Sequence, residues 1–250
     1  MQGEPSQFYT GIVAELYAEL RSVPSDPEPY ARFIARWGQP ALELGCGDGD
    51  PLLDLRSRDL IVDGLDSSPD MLSRCRRAAE QRNIDVTLYE QSMQNMNLDR
   101  RYRSIYIAGP TFNLLPDDES ALGALQGIKR HLESDGAALV PLFIPTPTPP
   151  NVLGKFRTKS FDDGTEMRFA IVSEERDEST RRQINTLRYE RVTLESRVTE
   201  DRPWVLHWHT QDGFRELARA AQLTVRSMTT PLGETAEIND NEFVAVLTPM

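Results

Sequence analysis

Apolar positions recur at helical spacing near the start of the chain, at Phe8, Ile12, Val13, Leu16, Tyr17 and Leu20. They predict a helix over 7–21. Pro24, Pro27 and Pro29 break it, and a second helix is expected from about Pro29 to Trp37. Short apolar runs then alternate with helical stripes. Strands are predicted at 41–44, 60–65, 85–89, 104–108 and 137–143, with helices near 51–57, over 69–82 and from about 117 to 133. Ser68-Pro69 supplies the cap and first turn of the helix over 69–82. Asp135-Gly136 is expected to turn the chain into the strand that follows. Regular β/α alternation with near-continuous apolar strands means a parallel sheet covered on both faces.

Beyond Pro141 the pattern changes. Pro145, Pro147, Pro149 and Pro150 form a stiff connector. From Glu166 to about Thr210 the chain mixes charges with β-formers, chiefly at 167–173, 182–194 and 204–208. No comparable helical stripe occurs there, so an antiparallel insertion of about three strands is expected. A helix at 211–221 and strands at 223–229 and 242–248, around Leu232-Gly233, complete the chain.

The first strand, Ala41 to Leu44, runs into Gly45-Cys46-Gly47-Asp48-Gly49. Glycines at every second position allow a sharp turn and let a ligand press against bare peptide. A loop of this kind between strand and helix is where an open α/β sheet binds a nucleotide-like ligand. The second strand ends in Asp66, placed to accept hydrogen bonds from both hydroxyls of a ribose. The dinucleotide fingerprint Gly-x-Gly-x-x-Gly fails, because its third glycine would fall on Asp50 or on Leu52. Asp48 and Asp50 would also repel a pyrophosphate, whereas a cationic sulfonium tolerates them.

The stretch Glu43 to Gly49, followed by Gly64-Leu65-Asp66-Ser67-Ser68-Pro69-Asp70-Met71-Leu72, resembles the first motifs of class I S-adenosylmethionine-dependent methyltransferases. The resemblance covers 41–144 well and 211–248 loosely. It implies an α/β, Rossmann-like seven-stranded sheet in the order 3-2-1-4-5-7-6, with S-adenosyl-L-methionine as cofactor. The inserted sheet is similar to that of the glycine-type and aminosugar N-methyltransferase-like branch, where it roofs the substrate pocket. The expected organisation is a helical lid over 1–38, a cofactor-binding core of 39–145 and 211–250, and a substrate-covering sheet over 146–210.

Composition narrows the function. The 250 residues carry a net charge of −11, which argues against a nucleic-acid backbone as main partner. Lysine occurs only at positions 129, 155 and 159, an arginine bias that reports a GC-rich coding genome rather than function; a bacterial source is expected. Cys46 and Cys75 are the only cysteines, so neither a disulfide framework nor a zinc site is indicated. Met1 to Ser6 lacks the start of a signal peptide, and the apolar run near 137–144 is too short to span a membrane. A cytoplasmic enzyme is therefore expected, with a homodimer left open.

For the site, the resemblance implies that Gly45, Cys46 and Gly47 approach the amino-acid part of the cofactor. Glu43 is expected to brace that loop through backbone N–H groups. Asp66 and Ser67 would hold the ribose, and Met71 would pack on the adenine. Ser92 occupies the usual acidic position after the third strand, with Met93 beside it. Ala108 begins a segment that would pass beneath the methionine part, and Phe112 would face the acceptor. Tyr9 and Tyr17 could fold over the ligands, although Tyr17-Ala18 departs from the family's Tyr-Asp. Tyr189, Arg188, Trp204 and Trp208 are further candidates for the acceptor pocket. His209 shares a strand face with His207 and is the candidate base, required only if the acceptor is a hydroxyl. No metal site is expected.

The function expected is transfer of a methyl group to a small-molecule N or O acceptor. The alternatives are a non-catalytic cofactor-binding subunit and a nucleotide-sugar or dinucleotide enzyme on the same architecture.

Overall fold

A computed structural model describes residues 8–20 and 25–250. The ends of the first predicted helix, at Gln7 and Arg21, and the breaker Pro24 lie outside these residues. The helix itself is α1, Ile12–Leu20, and the second is α2, Glu28–Trp37. Alternation follows as β1 (Ala41–Leu44), α3 (Leu52–Arg56), β2 (Val62–Asp66), α4 (Pro69–Gln81), β3 (Leu88–Glu90), β4 (Tyr102–Ile107) and α5 (Asp118–His131). Ser68 caps α4 by accepting from Met71 N at 3.2 Å, and Asp117 caps α5 by accepting from Ser120 N at 2.8 Å.

The chain continues as β5 (Leu132–Phe143), β6 (Arg157–Ser160), β7 (Glu166–Asp177), β8 (Arg182–Val192), β9 (Arg197–His207), α6 (Gln211–Ala220), β10 (Leu223–Thr229) and β11 (Glu242–Pro249). The main sheet has seven strands in the order β3-β2-β1-β4-β5-β11-β10, parallel except for β11, which pairs antiparallel with both β5 and β10. This is the topology expected of the class I fold. Neighbouring residues of each strand point to opposite faces, so two cores form. Leu42, Leu44, Ile105 and Ile107 pack with α5 and α6, whereas Ala41, Val62 and Tyr106 pack with α2, α3 and α4.

Two expectations are corrected. Asp135-Gly136 makes no turn, because β5 begins at Leu132 and absorbs the pair as an irregularity against β4. The register there jumps from Tyr102↔Leu132 to Ser104↔Ala137. A Cβ at Gly136 would lie 2.9 Å from the Arg103 carbonyl, so close backbone approach demands the glycine. The insertion has four strands rather than three, ordered β6-β7-β8-β9. Its face bearing Leu187 and Tyr189 packs on Phe8, Ile12 and Val13 of the N-terminal segment.

Candidate cofactor and acceptor site

The loop after β1 is built around three left-handed glycines, Gly45 (φ +72°), Gly47 (φ +54°) and Gly49 (φ +97°). Their roles differ. A Cβ at Gly45 would meet Thr111 Cγ2 at 2.7 Å, and one at Gly49 would meet Cys75 Sγ at 2.8 Å and Leu53 Cγ at 2.9 Å. Gly49 thus lets α3 and α4 close together beneath the loop. At Gly47 the nearest atom would be Met71 Cε at 3.4 Å, across the cavity the loop encloses.

Strand β2 fixes the loop from the side. Leu65 O accepts from Gly45 N at 2.7 Å and from Cys46 N at 3.0 Å. Asp66 Oδ2 accepts from Gly47 N, and Oδ1 accepts from Ser68 N, each at 2.8 Å. Each carboxylate oxygen keeps acceptor capacity toward the cavity that Asp66 lines. Burial raises the Asp66 pKa, and the N–H groups of Ser68 and Gly47 pull it back down.

Glu43 does not brace the loop, which corrects that expectation. It is 0% exposed, and Oε2 accepts from the Tyr106 hydroxyl at 2.7 Å. Oε1 has no partner. The side chain points under the sheet toward α2, because it shares a strand face with Ala41 rather than facing the loop. Burial, followed by nearby Asp50, Asp66 and Asp48, pushes its pKa up to about 8 against the Tyr106 hydrogen bond.

The N-terminal segment closes the cavity from above. Tyr9 and Tyr17 both line it, with ring centroids 5.5 Å apart, edge to face. Two hydrogen bonds tether the segment to the start of α4. Ser68 Oγ donates to Tyr9 O at 2.6 Å, and Gly11 N donates to Asp70 Oδ2 at 2.8 Å.

Of the residues expected to touch cofactor, Tyr17, Gly45, Gly47, Asp66, Ser67, Met71 and Met93 line this one cavity. Cys46, Ser92 and Ala108 are not among its lining residues. The Cys46 thiol turns into the core, where a Cβ on Gly64 would lie 2.8 Å from it. Gln91, Gln94, Thr111, Leu114 and Leu115 line the cavity without having been anticipated. They sit within a few positions of Ser92, Ala108 and Phe112. Short 3₁₀ turns at Met93–Asn95 and Thr111–Leu114 decide which side chains face inward, and sequence period does not reveal such turns.

Of the acceptor candidates, Tyr9 lines the cavity. Phe112 is buried against Phe214, their ring centroids 5.6 Å apart. Tyr189 is buried between Phe8 and Phe169, and Trp208 lies under the Arg176 guanidinium at 4.2 Å. Arg188 pairs with Asp201 on the exposed face of the second sheet. His209 is buried behind Phe112, their ring centroids 6.1 Å apart, and is not a lining residue. Burial and the neighbouring His207 lower its pKa to about 4, so the ring is neutral at pH 7.

The cavity therefore offers an acidic group, bare peptide, two thioethers and two phenol rings, and none of its described lining residues is Lys, Arg or His. That chemistry suits a nucleoside with a cationic appendage and gives nothing to neutralise a phosphate. Topology and loop together define a Rossmann-like domain of the class I methyltransferase type. Residues 41–136 match the family model described as a methyltransferase domain.

Two curated Streptomyces proteins are similar to it. The dTDP-3-amino-3,6-dideoxy-alpha-D-glucopyranose N,N-dimethyltransferase of Streptomyces fradiae is 28% identical over 54% of this chain and 55% of its own length. The cypemycin N-terminal methyltransferase of a Streptomyces species is 31% identical over 41% of each. The matched part thus spans about half the length of these relatives, or less. Among solved structures, the CcbJ methyltransferase from Streptomyces caelestis superposes with a TM-score of 0.77. It is 20% identical, with 97% of this chain and 98% of that one covered, so the likeness extends through the second sheet as fold.

Proposed function

We propose that this protein transfers a methyl group from S-adenosyl-L-methionine to an amine of a small molecule. The observation that carries the reading is the joint placement of Gly45, Gly47, Asp66 and Met71 around one cavity, in a chain whose residues 41–136 match the model of a methyltransferase domain. The residues fit the cofactor. Asp66 would hold the ribose hydroxyls, Gly47 would give its amino-acid part close approach, and Met71 and Met93 would flank the adenine. The bound cofactor supplies an activated methyl group, so the chain's task is to position two reactants and exclude water. Tyr9 and Tyr17, held down by Ser68 and Asp70, serve that exclusion.

An amine acceptor is favoured over a hydroxyl because the described lining holds no imidazole to take a hydroxyl proton. His209 is packed against Phe112 and does not line the cavity. The similar proteins are named for an amino sugar and for a peptide N-terminus, which supports the same choice. Within this reading the enzyme works in a bacterial cytoplasm. No helix among the described residues is long and apolar enough to cross a membrane.

Calorimetric titration with S-adenosylmethionine and S-adenosylhomocysteine tests the cofactor, with a nicotinamide dinucleotide as control. Saturable binding of the sulfur nucleosides alone is expected, and an acceptor screen with a labelled methyl group follows. Absence of binding would remove the enzyme reading and leave the glycine loop as a structural turn.

A further inference from the structure

The chain has three histidines, and they are treated very differently by the fold. His131 is a satisfied core residue, with Nδ1 2.8 Å from the Gly127 carbonyl and Nε2 accepting from Leu98 N at 2.9 Å. His207 and His209 are as deeply buried, at 3% and 4% exposure, without comparable partners. Their ring centroids lie 4.7 Å apart, and both rings turn a nitrogen toward one carboxylate oxygen. His207 Nε2 is 3.4 Å and His209 Nδ1 is 3.7 Å from Asp118 Oδ1. These separations exceed a good N–H···O hydrogen bond. His207 Nδ1 is buried with no partner.

We propose that Asp118, His207 and His209 form a binding site for one divalent transition-metal ion of the zinc or cobalt kind. The three ligand atoms all lie within 4.8 Å of one another. Bonds of about 2.0–2.2 Å in a tetrahedral shell set neighbouring ligand atoms roughly 3.3–3.4 Å apart. The two distances to Asp118 are already near that value, and the two histidine nitrogens, no more than 4.8 Å apart, must draw together by rotation of their rings. Two neutral imidazoles and one carboxylate are a borderline-soft donor set that suits zinc or cobalt and leaves a fourth position for water. The outer partner of the carboxylate is present as well. Arg181 Nη2 lies 2.6 Å from Asp118 Oδ1 and 2.5 Å from Oδ2, and it can stay on Oδ2 while Oδ1 binds the ion. The Asp118 side chain is 58% exposed, which gives the ion its way in.

The site joins three pieces of the fold. Asp118 opens α5 of the core, His207 ends β9 of the second sheet, and His209 lies in the link to α6. An ion here would staple the second sheet to the core beside Phe112. The charges that face it set its affinity. Asp118 and Asp117 attract a cation, and Arg181 and Arg182 oppose it. The inference is independent of the methyl-transfer reading, because it rests on residues outside the cavity.

The test is a titration of the chelator-stripped full-length chain with Co2+, followed by visible absorption, with Zn2+ as competitor and equilibrium dialysis for stoichiometry. One Co2+ per chain with the intense bands of a four-coordinate ion, displaced by Zn2+ and accompanied by a rise in Tm, is expected. His209→Ala and Asp118→Asn should each weaken binding at least tenfold while circular dichroism remains that of the folded chain. Arg182→Gln should tighten it, which a merely structural cluster would not do. Lack of saturable binding by the unaltered chain overturns the proposal whatever the variants do. So does a thiolate-to-cobalt band in the near ultraviolet, which would place the ion on Cys46 or Cys75, or full binding in His209→Ala.

Discussion

Replacing Glu43 by Gln should stabilise the fold in mild alkali and not in mild acid. Glu43 is wholly buried in β1, with one oxygen on the Tyr106 hydroxyl and the other without a partner. Burial raises its pKa from 4.5 to about 8 in the folded chain. Between those two values the folded state holds a proton that the unfolded chain has lost. The folded state then binds more protons, so unfolding free energy falls as pH rises. The penalty is absent below the unfolded value and complete above the folded one. At 1.36 kcal/mol per pH unit, that window amounts to roughly 5 kcal/mol, and relaxation around the ionised group brings it to about 3–5 kcal/mol.

Glutamine cannot ionise, and its amide oxygen can still accept from Tyr106. The assay is equilibrium urea unfolding of both proteins at several pH values from 5 to 8.5, with m-values compared to confirm equal exposure. The variant should match or slightly trail the unaltered chain at the acid end. It should then gain about 3–5 kcal/mol on it by the alkaline end. Other shifted groups act in both proteins and cancel in the difference. Burial raises the pKa of Asp66 and lowers those of His207 and His209, for example. A stability difference that stays flat to within about 1 kcal/mol would refute the reasoning, since Glu43 would then keep one charge state throughout.

Three further outcomes are expected. Asp66→Asn removes the charge that accepts from Gly47 and Ser68 and faces the cavity, so S-adenosylmethionine should bind about 30- to 1000-fold more weakly by calorimetry; undiminished affinity would remove the ribose assignment. Gly64→Ala would set a methyl group 2.6 Å from Leu52 Cδ2 and 2.8 Å from Cys46 Sγ. Overpacking of that kind should cost about 1–3 kcal/mol in urea unfolding, and an unchanged midpoint would mean the surrounding side chains yield freely. Ser68→Ala deletes both the α4 cap and the bond to Tyr9 O. It should lose about 1 kcal/mol and speed hydrogen exchange over Phe8 to Val13, and unaltered exchange there would deny the tether.

Where the chain's local pattern and its tertiary surroundings agree, the elements could be read directly. Strand β1 is such a case, with three apolar residues around Glu43 and a glycine at its end, and so is α4, with Ser68 and Pro69 at its start. Asp135-Gly136 looked like a turn because the pair is a turn former in isolation. The pairing of β5 with β4 on either side of it overrides that preference, and only the partner strand reveals it. Strand β6 escaped notice because all four of its residues are exposed and polar, and it exists through its pairing with β7. The same divide runs through the site. Backbone-determined features, the glycine loop and the acid at the tip of β2, could be placed from spacing. Whether a side chain faces the cavity or the layer behind it could not, as His209 and Thr111 show from opposite directions. Period assigns a face, and packing assigns the depth.

The loop's departures from the dinucleotide pattern now have a physical account. In that pattern the third glycine eases the helix against the sheet, while the helix start presents N–H groups to a pyrophosphate. Here Gly49 already performs the packing role, against Cys75 and Leu53, one position before the pattern requires it. The helix that follows begins after Pro51, which has no N–H to give, and runs only from Leu52 to Arg56. Asp50, where the third glycine would stand, turns back to accept from Ser25 N at 3.0 Å instead of leaving the turn open. Asp48, Asp50 and Asp66 also surround the loop with negative potential, strong enough to help raise the pKa of Glu43 beneath it. A ligand carrying two phosphates would meet repulsion and few donors, whereas a sulfonium and an ammonium group would meet attraction. The carboxylates that break the dinucleotide fingerprint thus favour a cationic nucleoside over a diphosphate at the glycine loop.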